Sequence, residues 1–202
     1  MLRRQPNIIV TGTPGVGKTS HCEQLASNTG LKHLSINSIV KDRSCHEGWS
    51  EEHKSWIVDE EKVRHSPSNT PCTIAHQKCQ LLDSLEDEVP TGGYIIDWHA
   101  CDLFPESWID LVVVLRTEPT KLYDRLRARK YPEKKLQENL DSEIMEVLLE
   151  EARDAYDEEI VIELRSDETD DIEGNVARIE KWLANWKQAQ AEGVTQGKQS
   201  PG

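Results

Sequence analysis

The 202-residue sequence lacks any uninterrupted apolar run long enough to cross a membrane, and residues 1–6 show no signal-peptide pattern. Basic residues are also scarce, since 24 lysines and arginines stand against 37 aspartates and glutamates, for a formal net charge of −13. A general electrostatic attraction to nucleic acid or to an anionic membrane is therefore not expected. We expect a soluble, intracellular protein that would need a local patch or a partner to contact RNA.

The five cysteines form no Cys-x-x-Cys pair and are odd in number. This pattern favours reduced thiols, in the cytosol or nucleus, over a disulfide framework. One stretch, Cys72-x-x-x-His76-x-x-Cys79, superficially resembles a zinc set, but its spacing matches no common zinc finger. The sequence therefore predicts neither disulfides nor a zinc site at this stretch.

The most informative stretch is residues 12–19, GTPGVGKT, which matches the phosphate-binding loop pattern Gly-x-x-x-x-Gly-Lys-[Ser/Thr] without substitution. Its glycines allow backbone N–H groups to curl around a phosphate at the start of a helix. Lys18 would bring a charge to the β- and γ-phosphates, and the Thr19 hydroxyl is the expected Mg²⁺ ligand. The alternative is a glycine-rich turn without a ligand. An apolar run at residues 7–11 and a helical pattern at 20–28 argue against it, because they supply the strand and helix that the motif requires.

Short apolar runs alternate with helical patterns throughout residues 1–188, which we take as one P-loop domain. This alternation predicts an α/β fold with a doubly wound, five-stranded parallel sheet, whose ligands bind at the carboxyl ends of the strands. Gly12, Asp97 and Arg116 are expected at such ends. Residues 189–202 are rich in Gln, Gly and Ser and are predicted to be disordered. The predicted strands are 7–11, 32–36, 94–97, 110–116 and 160–164, and the predicted helices are 20–28, 119–129, 133–156 and 169–187.

The polar segment at residues 37–61 allows two interpretations. In a nucleotide kinase, a substrate-binding lobe is inserted at this point of the chain. The alternative is a pair of amphipathic surface helices whose tryptophans, Trp49 and Trp56, lie in the core.

Asp97-Trp98-His99 follows a predicted strand, and a carboxylate at such a strand end beside a phosphate loop holds Mg²⁺ directly or through water. His99 could orient a water molecule or accept a proton from the attacking nucleophile. The alternatives are an aspartate that caps the next turn and a histidine whose hydrogen bonds go to the backbone.

A basic block stands out in this acidic chain, and arginine forks are suited to the charge that spreads over a phosphoryl group during transfer. For most members a solvated helix face is the simpler interpretation. Arg129, where a helix should end before Tyr131-Pro132, is the best placed to reach a nucleotide. The block comprises Arg116, Arg125, Arg127, Arg129 and Lys130.

These motifs together resemble the adenylate kinase isoenzyme 6 family over about residues 5–62 and 81–188. The resemblance rests on GTPGVGKT at 12–19, Ile96-Asp97-Trp98-His99, Asp102-x-Phe104-Pro105-Glu106, LVVVLR at 111–116 and Arg129-x-Tyr131. Members of this family, including the fungal ones, are atypical nuclear adenylate kinases and ATPases required for small ribosomal subunit maturation. The Asp-aromatic-His triplet makes the resemblance specific, because generic adenylate kinases lack it.

The resemblance implies a P-loop NTPase of the nucleoside monophosphate kinase type, with a small monophosphate lobe at about residues 35–58 and a short lid at about 128–138. It implies that Arg129 is the lid arginine to ATP and that Asp97 and His99 take part in hydrolysis. The residues that match the family's ATP-phosphate loop are Gly15, Val16, Gly17, Lys18, Thr19 and Ser20.

The implied reaction is ATP + AMP to 2 ADP, with ATPase activity and Mg²⁺ bound with ATP. The alternative is an ATP-switched ribosome assembly factor, whose essential output is its ATPase rather than its kinase activity. The implied partners are a ribosomal protein of the small-subunit platform and the pre-40S particle, in the final maturation of 18S rRNA. The resemblance implies a monomer found in nucleus and cytoplasm.

One segment departs from the family pattern. Family members pass almost directly from an acidic stretch, here residues 59–62, into a helix like residues 81–85, whereas this chain interposes the 18 residues 63–80. Val63-Arg64 can be encoded GTACGT and Gln80 CAG, and 18 codons keep the reading frame, so a retained intron is one hypothesis. The other is a species-specific surface loop, which we would expect to be disordered. Sequencing of the mature transcript distinguishes them.

Overall fold

A computed structural model of the chain describes residues 3–42, 49–50, 55–56 and 85–197. Within these residues, seven strands and six α-helices are defined, with short 3-10 turns between them. In chain order they are β1 Ile8–Thr11, α1 Lys18–Thr29, β2 Lys32–Ser35, α2 Ile36–Asp42, β3 Trp49–Ser50, β4 Ser55–Trp56, β5 Tyr94–Asp97, β6 Leu111–Arg116, α3 Pro119–Ala128, α4 Glu133–Ile144, α5 Val147–Ala155, β7 Val161–Arg165 and α6 Asp170–Gly197.

Five of the strands form one parallel sheet in the order β2-β5-β1-β6-β7. β1 lies at its centre, and Val10 is in register with Asp97 on one side and with Val113 on the other. The carboxyl ends of β1, β5 and β6 therefore meet at one edge, where the loop at residues 12–17 begins. This arrangement confirms the predicted α/β class and the five-stranded parallel sheet.

The central strands are buried on both faces because their residues are almost all β-branched or aliphatic. Every residue of β1, β5 and β6 is buried. Successive side chains alternate between two apolar clusters, so that Ile8 and Val10 enter the cluster beneath α1, α3, α4 and α6, whereas Ile9 enters the one beneath α5. Helices thus cover both faces of the sheet, as a doubly wound fold requires.

The single helix predicted for residues 133–156 is wrong, because the structure breaks it into α4 and α5. Glu146 adopts a left-handed conformation with φ of 57°, and Met145 beside it is 70% exposed. The periodic pattern runs through this break, since glutamate and methionine are both good helix formers and neither indicates a left-handed turn.

The disorder predicted from residue 189 stays a prediction, and among the described residues α6 continues to Gly197. Alanine, glutamine and glutamate are strong helix formers, and low apolar content is compatible with an exposed helical extension. The Gln188 side-chain amide donates to the Glu192 carboxylate over 2.9 Å, one helical turn away.

The segment at residues 37–61 contains α2 and two short antiparallel strands, in which Trp49 pairs with Trp56 and Ser50 with Ser55. The alternative of two amphipathic helices that carry these tryptophans is therefore wrong. The rest of the segment, the 63–80 insert and the Cys72-His76-Cys79 stretch lie outside the described residues. Among the helices that are described, none is both long and apolar enough to span a membrane.

Replacing Ile179 with alanine tests whether α6 holds the fold together by packing on α1. Ile179 is fully buried in the cluster that contains Leu25, so Ile179→Ala should lower the free energy of unfolding by about 2–5 kcal/mol in a urea titration. Ile144→Ala is the matched control. Its side chain is 56% exposed, and it should change that free energy by less than about 0.5 kcal/mol. Equal losses for the two variants would contradict the packing described.

Candidate active site

The loop between β1 and α1 has a backbone that only glycine can adopt at three positions. Gly12, Gly15 and Gly17 have φ values of 140°, 102° and 99°. A Cβ atom on Gly12 would lie 2.5 Å from the backbone oxygen of Leu115 in β6, so this part of the loop also passes too close to the sheet for any side chain. Gly17 leaves the start of α1 without a side-chain cap, and the first amides of the helix therefore face the loop.

The side chain of Lys18 folds back onto this loop. Its Nζ donates to the backbone oxygens of Gly12, over 2.5 Å, and Thr13, over 3.1 Å. Burial lowers the pKa of Lys18 to about 8, although the nearby Asp97 carboxylate acts in the opposite direction. Among the residues that the structure describes, the Nζ atom of Lys18 donates to carbonyl oxygens, and a desolvated cation in these surroundings is electrostatically suited to an incoming anion.

The predicted magnesium ligands lie together at the carboxyl edge of the sheet. Thr19, in the first turn of α1, donates its hydroxyl to Oδ2 of Asp97 over 2.7 Å. Asp97 is the last residue of β5 and only 2% exposed. A hydroxyl and a carboxylate in contact offer the oxygen ligands that Mg²⁺ prefers, so these residues fit that ion.

The remaining predicted loop residues are Val16 and Ser20, which precede and follow Thr19 in the sequence. Val16 is fully buried in the core beneath α1, and its N–H donates to Thr13 over 3.3 Å, which closes the turn of the loop. Ser20 is exposed in the first turn of α1.

His99 lies just beyond Asp97 and is half-buried. Its ring packs on Trp98 with centroids 4.1 Å apart, and its backbone oxygen accepts a hydrogen bond from Thr11 over 3.0 Å. The chain after β5 is thereby tied to the end of β1, beside the phosphate loop.

The basic block divides into structural and exposed members. Arg116 pairs with the buried Glu143, and Arg125 donates to the backbone oxygens of Ser166, over 2.9 Å, and Asp167, over 2.7 Å. Arg129 is the C-cap of α3 and is exposed. Burial is the main cause of the low pKa of Lys18, and the positive charge of Arg129 lowers that pKa further. The guanidinium therefore lies within electrostatic range of the loop. Arg127 and Lys130 are also exposed on this turn.

Glu143 is a site residue that sequence reasoning missed. Its carboxylate is 2% exposed and accepts hydrogen bonds from the Thr13 hydroxyl over 2.5 Å, from Arg116 Nε over 2.7 Å and from the Thr117 N–H over 2.9 Å. One carboxylate thus joins the phosphate loop to the end of β6. Burial would lower the pKa of the Arg116 guanidinium, but the hydrogen bond and charge of Glu143 outweigh it and raise that pKa.

A signal for Glu143 was present in the sequence. Leu136 and Leu140 form the buried face of α4, and Glu143 continues their spacing of four and then three residues. A carboxylate on an apolar helix face needs a buried partner.

His21 is a second missed residue and anchors the other end of the loop. It is fully buried, with Nδ1 2.9 Å from the Gly17 oxygen and Nε2 3.2 Å from the Asn175 side-chain amide. Burial lowers the pKa of His21, and a neutral ring that carries its proton on Nδ1 satisfies both contacts. The loop is therefore attached to α6 as well as to the sheet.

Comparison with known proteins agrees with this geometry. A family described as "AAA domain" matches residues 8–146. An adenylate kinase isoenzyme 6 homolog from Schizosaccharomyces pombe is 46% identical, over 92% of this chain and 95% of that protein. Another, the adenylate kinase isoenzyme 6 homolog HBR1 of Candida albicans, is 46% identical over 96% of this chain and 75% of that protein.

The chain belongs to the adenylate kinase isoenzyme 6 family. The phosphate-loop motif, the α/β fold and the family membership all indicate a P-loop phosphotransferase of the nucleotide kinase type. Among solved structures, shikimate kinase from Acinetobacter baumannii matches with a TM-score of 0.59 at 14% identity, covering 90% of this chain and 94% of its own. At that identity the likeness shows only that this family member shares the fold.

Replacing Glu143 with glutamine tests the junction between loop and sheet. Glu143→Gln keeps the shape but leaves the buried Arg116 without its main counter-charge, so the free energy of unfolding should fall by about 2–4 kcal/mol. Glu150→Gln, which removes an exposed partner of Arg153, should change it by less than about 0.5 kcal/mol. Similar small losses for both variants, measured by urea titration, would contradict the role given to Glu143.

The lowered pKa of Lys18 predicts a pH dependence of nucleotide affinity. A bound triphosphate favours the charged ammonium, whereas the free protein releases that proton as the pH rises through about 8. The ATP association constant should therefore be constant below about pH 7.5 and fall by up to tenfold per unit above about pH 8. Calorimetric titration measures it. The surface variant Lys121→Met should keep this fall of affinity with pH, whereas Lys18→Met should lose it. A pH dependence that survives in Lys18→Met would refute its assignment to Lys18.

Proposed function

We propose that the protein transfers the γ-phosphoryl group of Mg·ATP to AMP, giving two molecules of ADP, and transfers it more slowly to water. The observation that carries this proposal is the contact of Thr19 with Asp97 beside Lys18. It combines oxygen ligands for a hard cation with a lysine on a phosphate-binding loop. Adenosine nucleotides are proposed because the relatives are named adenylate kinase isoenzyme 6 homologs.

The loop is proposed to hold the phosphates of ATP. The backbone amides of residues 15–20 would donate to the phosphate oxygens, and Lys18 would leave the carbonyls of Gly12 and Thr13 to pair with the β- and γ-phosphates. Thr19 and Asp97 would hold Mg²⁺, Asp97 partly through water. When bound, that ion supplies charge neutralisation and orients the phosphate oxygens.

During transfer, the bond from the γ-phosphorus to the oxygen bridging the β-phosphate breaks, and an oxygen of AMP or of water bonds to the phosphorus. Negative charge then spreads over the equatorial oxygens. Arg129 is proposed to offset that charge from the lid, because it is exposed and within electrostatic range of Lys18. His99 is proposed to position the attacking water or the lid, from its place next to Asp97.

We propose that AMP binds to the lobe at about residues 35–58 and that residues 128–138 act as the lid. α2 begins directly after β2, at the same edge of the sheet as Asp97, which supports a lobe beside the phosphate loop. The turn between α3 and α4 carries Arg129, whose charge acts on Lys18 in the phosphate loop, and this supports its use as a lid.

We further propose that the protein acts in small ribosomal subunit maturation and formation of mature 18S rRNA, as a monomer in nucleus and cytoplasm. Its proposed partners are a platform ribosomal protein and the pre-40S particle. Family membership supports this role. The net charge of −13 favours contact with a basic protein over direct binding to RNA.

Product analysis tests the kinase proposal. Purified protein is incubated with Mg·ATP, with and without AMP, and ADP and free phosphate are resolved by ion-exchange chromatography. Two ADP per AMP, with little free phosphate, is the expected result. Lys18→Ala should be slower by about 10³-fold or more, because transfer depends on charge placed at the phosphates. Lys121→Ala, which removes a surface lysine paired with Glu168, is the control and should retain the rate.

Equimolar ADP and phosphate regardless of AMP would overturn the kinase proposal. That result would favour the alternative of an ATP-switched assembly factor, since such a switch needs no AMP site. Full activity in Lys18→Ala would contradict the assignment of the loop itself.

A further inference from the structure

A group of three metal-ligating side chains lies beside the phosphate loop. It comprises Cys22 of α1, His33 of β2 and Asp97 of β5, whose ligand atoms all lie within 4.8 Å of one another. Cys22 and Asp97 are buried, and His33 is partly buried. The donors come from three elements that the fold brings together, so the group is not a sequence motif.

His33 supplies an independent indication of a ligand. Its Nε2 is shielded from solvent and has no hydrogen-bond partner among the described residues. Oδ2 of Asp97 lies 3.5 Å from this nitrogen. Buried polar atoms in native proteins are almost always satisfied, and an unexplained one commonly indicates an ion or water. Here the unsatisfied nitrogen adjoins a carboxylate and a thiol.

We propose that Cys22, His33 and Asp97 bind a thiophilic divalent cation of the Zn²⁺ class. A thiolate, an imidazole and a carboxylate suit zinc or cobalt, whereas Mg²⁺ avoids sulfur and nitrogen. Three protein ligands leave a fourth position for water or for a phosphate oxygen. On binding, the thiol of Cys22 becomes a thiolate and its proton passes to solvent.

The distances allow such a site after a small adjustment. With metal–ligand bonds of about 2.0–2.3 Å, the ligand atoms of a tetrahedral zinc site lie about 3.3–3.7 Å apart. The 3.5 Å between His33 Nε2 and Asp97 Oδ2 is already in this range. The other separations are at most 4.8 Å, so that side-chain movements of about 1 Å would bring these atoms into the same range.

Occupancy of this site would interfere with catalysis. Asp97 Oδ2, which accepts the Thr19 hydroxyl, is the atom shared with the proposed magnesium site. A second divalent cation there would take this ligand and repel Mg²⁺. Zinc is therefore expected to inhibit phosphoryl transfer in competition with Mg²⁺. This inhibition rests on the proposed function, whereas the binding of zinc is independent of it.

Cobalt spectroscopy tests the site without nucleotide. The probe is Co²⁺ added to full-length protein in which Cys45, Cys72 and Cys79, all outside the described residues, are changed to serine. One equivalent should give a thiolate-to-cobalt absorption band in the near ultraviolet and a visible band of tetrahedral intensity. The band should disappear in Cys22→Ala and persist in Cys101→Ser, which alters the other buried free cysteine among the described residues.

His33→Gln covers the case in which Cys22→Ala fails to fold, because His33 is partly exposed on its strand. It should weaken Co²⁺ binding at least tenfold and shift the visible band. Absence of a thiolate band in the parent protein, or a band that survives both variants, would overturn the proposal. Since no nucleotide is present, a protein that proves inactive on ATP still gives a decisive spectrum.

A kinetic measurement then tests the competition. Buffered free Zn²⁺ should lower the phosphoryl-transfer rate at least tenfold at low Mg²⁺, and added Mg²⁺ or a chelator should restore it. His33→Gln, compared with its own zinc-free rate, should be at least tenfold less sensitive. Equal sensitivity in both proteins would show that zinc acts elsewhere.

Discussion

The phosphate-binding loop keeps its shape because one buried carboxylate holds it against the end of the sheet. Glu143 accepts from Thr13 in the loop and from Arg116 and Thr117 at the end of β6. Gly12 lies so close to the backbone of Leu115 that an added Cβ atom would be 2.5 Å from its oxygen, an approach that no side chain would permit. A triphosphate needs amides already aimed at it, because ordering the loop at the moment of binding would weaken affinity.

The site also concentrates positive charge in an acidic protein. Arg116 and Arg125 are occupied by a carboxylate and by backbone carbonyls, so they hold the scaffold rather than a ligand. Lys18, desolvated and near Arg129, donates to backbone oxygens of the loop. The cost of burying this cation is relieved when an anion enters, which links the electrostatics of the free protein to nucleotide binding.

The parts of the fold that sequence could predict are those encoded locally. The apolar run Tyr94–Asp97 coincides with β5, and the glycine pattern at 12–17 coincides with the loop, because burial on both faces and positive φ each restrict residue type. The break between α4 and α5 at Glu146 could not be predicted from local sequence, because glutamate has no preference for the left-handed conformation that it adopts here. The helical spacing of Leu136, Leu140 and Glu143 indicates that Glu143 is buried but not which groups it contacts. His21 and His33 act through contacts with Asn175 and Asp97, which are distant in sequence, and no local periodicity indicates such contacts.

The central claim is that the loop amides receive the phosphates of Mg·ATP, and amide NMR tests it most directly. In ¹H–¹⁵N spectra of the labelled protein titrated with Mg·ATP, the N–H signals of Gly15, Gly17, Lys18 and Thr19 should move downfield by more than those of α5, which packs on the opposite face of the sheet from α1. Addition of a non-hydrolysable ATP analogue with Mg²⁺ should give the same pattern. Binding that shifts other amides while these four stay unchanged would contradict the account.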